Sequence, residues 1–238
     1  MCASYGIDFG IYGRGVRPGF APLSTPSGRV RFEQWGAESG GKASITRRSR
    51  RGVNLNPVVL QRDGARVLEL AWWWFHVAGR PAPYTAFNSR DDTLLEKWRS
   101  GLRRRALLPA TWYSEGGKRW VLPDGELFGI AAITAPRALG DVPGGVPDGV
   151  PGGAGGPRDG IACEGVSYSM VTRAGVGEAA TVLSSRGESR MPLVLPREMH
   201  DAWLDPERAG DAALVAQAVR ASEEISRELT SAGQLTLF

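Results

Sequence analysis

Apolar positions along this chain fall mostly into short runs and alternations, and reach helical spacing in only a few places. Val30 to Trp35 and Val53 to Leu60 read as short strands, with a basic Gly/Ser/Arg stretch between them as a surface loop. Val67 to Phe75 is a β-prone run, apolar apart from Glu69, and reads as a buried strand. Asp91 to Leu107 predicts a helix: Asp91 or Asp92 caps it, and Leu94, Leu95, Trp98, Leu102 and Leu107 recur at near-helical intervals. Trp112 to Tyr113, Arg119 to Leu122 and Leu127 to Thr134 follow as strands, joined at Glu115-Gly116-Gly117 and at Pro123-Asp124-Gly125. Strands resume at Gly165 to Thr172 and at Pro192 to Leu195. A short helix, Pro196 to Leu204, and a longer one, Gly210 to Leu229, follow.

Residues 1–28 are Gly/Pro-rich with little periodicity, and residues 136–160 are nearly all Gly, Pro, Asp and Val. The second stretch reads as a flexible loop inserted into one domain, since strands of similar character flank it. Many strands with few helices predict an α+β class, with a mixed, barrel-like sheet and a few flanking helices. The domain spans residues 1–205, followed by a C-terminal helix over 206–230 and a tail over 231–238.

Length allows one large domain or two small ones, and 42% hydrophobic content is ordinary for a soluble globular core. No apolar run approaches a membrane span and no signal peptide stands at the N-terminus, so the expectation is a cytoplasmic, nucleoid-associated protein without membrane contact. The net charge of +4 is modest but clustered. Lys42, Arg47, Arg48, Arg50 and Arg51 form one basic block, and Lys97, Arg99, Arg103, Arg104 and Arg105 a second. Trp72, Trp73, Trp74 and Phe75 run together, with Tyr84, Phe87, Trp98, Trp112, Tyr113 and Trp120 beyond. Aromatic faces beside cations suit stacking on unpaired bases; several of these rings belong to the core.

The two cysteines are Cys2 and Cys163, too few for a disulfide framework. Cys2 directly follows the initiator methionine, so loss of Met1 leaves an α-amine and a thiol on one residue. Their unperturbed pKa values, about 7.7–8.0 and about 8.5, put a minor fraction of each in its nucleophilic form at neutral pH. An aldehyde meeting this pair forms a Schiff base with the amine, and attack by the thiol then closes a five-membered thiazolidine.

Four segments stand together in order: Met1-Cys2; Asn88-Ser89-Arg90-Asp91-Asp92-Thr93; Pro109-Ala110-Thr111-Trp112-Tyr113-Ser114-Glu115; and Arg190-Met191-Pro192-Leu193-Val194-Leu195. Together, and with Asn54-Leu55-Asn56-Pro57, they resemble the SOS-response-associated peptidase family, whose members crosslink covalently to abasic sites in single-stranded DNA. The resemblance covers about residues 1–205. It implies that Cys2 is the nucleophile after autocatalytic loss of Met1. It also implies that Asn88 holds the ligand and the N-terminal residue, and that Glu115 shuttles protons as the sugar opens and the Schiff base forms. Arg90 and Arg190 match positions that grip backbone phosphates. Arg47, Arg48 and Trp74 join them as candidate DNA contacts. Neither a metal nor an organic cofactor is called for, and nothing requires an oligomer.

The chain departs from the family pattern at three places. Ala3-Ser4 replaces Gly-Arg after the cysteine, Gly116 replaces a tryptophan after the glutamate, and Glu188 stands where the family has its second acid/base histidine. A carboxylate can take over proton transfer, but it supplies no cation and repels a nearby phosphate. Lyase or reversal activity is therefore left open, while crosslinking through Cys2 is expected. The remaining histidines, His76 and His200, are expected to be structural or exposed.

The last residues, Gln234-Leu235-Thr236-Leu237-Phe238, resemble the bacterial sliding-clamp-binding motif. Leu237 and Phe238 would fill an apolar pocket of the clamp, with Gln234 and Leu235 beside it. Such a short tether would act by raising local concentration. Two rivals stand beside this reading: a degenerate DNA- and clamp-binding module without chemistry, and an N-terminal-nucleophile hydrolase built on Cys2.

Overall fold

A computed structural model of the chain describes residues 4–8, 26–45, 55–137, 165–184 and 186–232. The first elements are strand β1 (Ser4–Gly6), helix α1 (Pro26–Ser39) and strands β2 (Lys42–Ser44), β3 (Leu55–Arg62) and β4 (Ala65–Trp73). Two-residue strands β5 (His76–Val77) and β6 (Arg80–Pro81) lead to β7 (Asn88–Arg90) and the short helix α2 (Leu94–Lys97). Then come β8 (Arg105–Ala110), β9 (Trp112–Glu115), β10 (Lys118–Val121), β11 (Phe128–Arg137) and β12 (Gly165–Ala174). The chain closes with β13 (Arg190–Pro192), β14 (Val194–Leu195), helices α3 (Arg197–Leu204) and α4 (Ala212–Glu228), and β15 (Thr230–Ala232).

Five strands close on themselves in the order β12, β4, β3, β8, β11 and back to β12. The β12–β4 contact is parallel and the others antiparallel, so the ring is a mixed barrel. Its strands are apolar on both faces, because both faces are covered. Inside the barrel, Val58, Ala71, Trp73, Ala106, Leu108, Ile130, Tyr168 and Met170 share one core. On the outer face, Val59, Leu107, Ile133 and Val171 pack under Met199 and Trp203 of α3 and Leu214 and Ala218 of α4. A second sheet, ordered β15-β10-β9-β1-β2, lays Tyr5, Ala43, Tyr113 and Trp120 onto the barrel core. The molecule is thus α+β, one domain around a barrel.

The strands predicted near residues 53–60, 67–75, 112–113, 119–122, 127–134, 165–172 and 192–195 are present within a few residues, as are both C-terminal helices. Several expectations are corrected. Val30 to Trp35 lies in α1, where Phe32 and Trp35 are buried one turn apart while Val30 is 61% exposed. The helix starts at Pro26 and stops at Gly40 and Gly41, both at positive φ, which are ordinary start and stop residues. The helix expected over 91–107 is a 3₁₀ turn, the four-residue α2, a second turn, and then β8. At Gly101 a Cβ would stand 2.9 Å from Ile133 Cδ1 and 3.0 Å from the Phe75 ring, so the chain turns where only glycine fits. Leu107 belongs to a strand buried on both faces, so its helical spacing is coincidental.

Pro136 and Arg137, expected in a loop, end β11. The remainder of that predicted loop falls mainly among residues 138–164, outside the described residues. Ser231 and Ala232, expected to open the tail, belong to β15 and pair with Trp120 and Arg119.

His200 on α3 is buried, with its Nε2 donating to the Leu195 carbonyl at 3.0 Å. Burial, opposed only in part by that hydrogen bond, lowers its pKa from 6.5 to about 4. An unfolded imidazole takes its proton near pH 6.5 and the folded one only near pH 4, so between these values the unfolded state binds more protons. Stability is therefore expected to fall as pH drops from 6.5 to about 4, by on the order of 3 kcal/mol in all. Urea unfolding of the wild type and of His200→Gln across this window checks it; the variant should lose that part of the slope.

Candidate functional site

The candidate residues are held around β12. Its first half lies between β11 and β4, and beyond Tyr168 the parallel strand β7 takes the place of β4, with Asn88 opposite Met170 and Arg90 opposite Thr172. Ser89 is buried, so by strand alternation Asn88 and Arg90 share the opposite face. On the other side of β12, β13 sets Arg190 opposite Ala174.

These two arginines meet carboxylates. Arg90 donates to both oxygens of Asp92, at 3.0 and 2.7 Å, and to Glu188 Oε2 at 2.9 Å. Arg190 donates to Asp91 Oδ1 at 2.9 Å and to the Thr172 carbonyl at 2.6 Å. The Arg90 hydrogen bond and charge hold Asp92 below the usual carboxylate range, and Asp92 in turn raises the Arg90 pKa. Three carboxylates thus face two guanidiniums. Glu188 is half-exposed and accepts from Arg90 at 2.9 Å.

Glu115 ends β9 and faces Lys118 across a two-residue Gly116-Gly117 turn, with both glycines at positive φ. By alternation it lies on the same face of its sheet as buried Tyr113, the face turned toward the barrel. A Cβ on Gly116 would stand 2.3 Å from Val182 Cγ1, so the hairpin packs against the segment that runs from Val182 to Glu188. The same segment, closed by Ser184 N–H donating to the Glu188 carbonyl at 2.9 Å, carries Glu188 to Arg90. Glu115, Glu188 and Arg90 are therefore linked through one loop.

Strand β1 is fixed between β9 and β2, with Ser4 opposite Ser114. On its inner face the Tyr5 hydroxyl bonds the Tyr168 hydroxyl at 2.7 Å, and burial raises the Tyr168 pKa well above its ordinary value. Trp73 packs edge-on to Tyr5 at 5.0 Å and stacks on Tyr168 at 5.9 Å, while its Nε1 donates to the Phe87 carbonyl at 2.8 Å. One aromatic group thus ties the start of the chain to the residue before Asn88. Cys2 lies outside the described residues; its tether, Ser4, is two residues on, and two residues of chain reach at most about 7 Å.

Trp74 is half-buried against Phe87, and its Nε1 donates to the Ala82 carbonyl at 3.1 Å. Trp72, Trp73, Trp98, Trp112 and Trp120 are buried, so the aromatic run is mostly core. In the second basic block, Arg105 is buried at 5% exposure, bonded to main-chain carbonyls. Arg47, Arg48, Gln234, Leu235, Leu237 and Phe238 lie outside the described residues. Among the described residues no group of three or more His, Cys, Asp or Glu could hold a metal, and no helix is long and apolar enough to cross a membrane. Sequence reading missed Arg119, whose guanidinium lies 4.1 Å from the centre of the Trp112 ring. The Gly116-Gly117 turn carries the signal for it, since a two-residue turn sets Arg119 opposite Ser114.

No protein-family model and no curated protein matches this chain. Among solved structures, it is similar to a protein from Bordetella bronchiseptica, with a TM-score of 0.55 and 16% identity over 89% of this chain and 92% of that one. It is likewise similar to a protein from Bacteroides thetaiotaomicron, with a TM-score of 0.57 and 16% identity over 92% of this chain and 86% of that one. At such identity the likeness shows the fold alone.

Proposed function

We propose that this protein traps abasic sites in single-stranded DNA as a thiazolidine on Cys2 after Met1 is lost. The observation that carries the reading is the fixing of β1. The strand that tethers Cys2 is held beside the strand that ends in Glu115, and Tyr5 joins it to the strand along which Asn88 lies. The α-amine adds to the sugar aldehyde, and the carbinolamine loses water to give an imine. The thiolate then attacks the imine carbon, a C–S bond forms and the nitrogen takes a proton, so aldehyde plus aminothiol yields thiazolidine plus one water. Glu115 carries protons between sugar oxygen and amine, and Asn88 orients the reactants by hydrogen bonds. The C-terminal Gln234 to Phe238 segment delivers the protein to a bacterial sliding clamp.

Intact mass spectrometry of the purified chain, with and without an abasic oligonucleotide, tests this reading. The expected masses are that of a chain lacking Met1 and that of an adduct of chain plus oligonucleotide less one water. A chain that keeps Met1 and forms no adduct would establish the second reading, a binding module without chemistry. That reading is motivated by Ala3, Ser4, Gly116 and Glu188, where the chain departs from the family pattern it resembles.

Glu188 bears on affinity in either case. The Arg90–Glu188 pair is exposed, and such pairs are worth up to about 1 kcal/mol. A phosphate that takes Glu188's place on Arg90 forgoes about that much. Glu188→Gln is expected to tighten binding of single-stranded DNA by about 3- to 5-fold, as read by fluorescence anisotropy at fixed salt.

A further inference from the structure

The cations described at the mouth of the site are neutralised by carboxylates, yet on one face of the β15-β10-β9-β1-β2 sheet the described strand residues include cations and no carboxylate. Register places Arg119, Ser114, Ser4 and Ser44 in one row across β10, β9, β1 and β2, and directly paired residues project from the same face. The next row holds Val121, Trp112, Gly6 and Lys42. This is the face opposite buried Tyr5, Ala43, Tyr113 and Trp120.

Trp112 lies flat across Gly6, where a Cβ would stand 2.5 Å from the indole. The Arg119 guanidinium caps the indole at 4.1 Å. Gly6 therefore lets the indole sink into the sheet, and the indole holds the arginine in place without taking up its hydrogen bonds. Arg119 and Lys42 are exposed, and neither has an acidic partner among the described residues.

We propose that these two rows form a phosphate track, on which Arg119 from the first and Lys42 from the second hold the backbone of single-stranded DNA. The inference rests on the DNA reading above and names a binding residue for it. Four strands at roughly 4.8 Å spacing make each row about 14 Å long. The first passes Ser4, the tether of Cys2, so a strand lying there runs past the reactive terminus. A guanidinium stacked on a buried ring is already ordered and keeps its edge donors for an oxyanion, whereas Arg90 must first give up Asp92 and Glu188.

The probe is an unmodified single-stranded oligonucleotide, so neither Met1 removal nor an aldehyde enters the measurement. Arg119→Gln is expected to weaken binding by about 5- to 10-fold at low salt, and to flatten the dependence of log affinity on log salt by about 0.7. Arg119→Lys should keep that slope. Arg220→Gln, on the exposed side of α4, makes the same change in net charge and should leave binding within about 2-fold of wild type. Arg119→Gln weakening binding no more than Arg220→Gln would overturn the track and leave the crosslinking reading untouched. A missing adduct in the mass experiment would do the reverse.

Discussion

Cys2→Ala is expected to abolish the stable adduct with abasic single-stranded DNA, and Cys2→Ser to leave only one that borohydride must trap. Each variant keeps its α-amine, so the Schiff base still forms. An imine exposed to water hydrolyses, and only a second bond to the same carbon holds the product. Sulfur supplies that bond well because the thiol is deprotonated far more readily than a serine hydroxyl and is intrinsically more nucleophilic. Heating the wild-type and variant reactions, with and without borohydride, separates the two states by gel mobility. A Cys2→Ser adduct as heat-stable as wild type would remove the thiol from the mechanism, even though the amine chemistry stood.

Much of this fold was legible because most of its strands announce themselves locally. Leu127 to Thr134 is β-prone and nearly unbroken in apolar character, as a strand covered on both faces must be, while Gly165 to Thr172 alternates serine with Val, Tyr and Met. What closes the barrel is not local. The parallel contact of Ser167 and Tyr168 with Trp72 and Trp73 joins strands some ninety residues apart, and no pattern within either strand specifies it. Local pattern also misled where two periods fit one segment. Val30 and Phe32 alternate like a strand, Phe32 and Trp35 repeat like a helix, and the helix forms with Trp35 in the core.

The candidate site divides in the same way. Asn88 and Glu115 could be named from their flanking residues, and the Gly116-Gly117 turn from its dipeptide. The pairing of Arg90 with Glu188 could not, because it depends on a loop that crosses from one sheet to the other. Charge read along the chain counts Arg90, Arg105 and Arg190 alike as basic. In space, Arg90 and Arg190 are neutralised by acids, Arg105 is inside the protein, and Arg119 is exposed with no acidic partner among the described residues.

Arg105 supplies the largest expected loss of stability. Its Nε donates to the Trp203 carbonyl at 2.5 Å, and its other nitrogens donate to the carbonyls of Leu102, Asp205 and Arg208. These carbonyls end the turn before β8 and the last turn of α3 with the loop beyond it, so one guanidinium joins a barrel strand to the helical layer. Burial lowers the Arg105 pKa; the carbonyl dipoles, with the charges of Asp205 and Asp211 nearby, offset part of the lost hydration. Arg105→Met relieves that desolvation but leaves buried acceptors without donors, each at about 1–3 kcal/mol, for a net loss of about 3–5 kcal/mol. For a chain of this size that corresponds to a melting temperature lower by roughly 10 °C. Arg105→Lys should recover little of it, since one ammonium cannot reach carbonyls arranged around a planar fork. Arg104→Ala, exposed one residue earlier, should stay within about 0.5 kcal/mol of wild type in the same calorimetric scan. If Arg105→Met melted with Arg104→Ala, the guanidinium would not be what fastens the helices to the barrel.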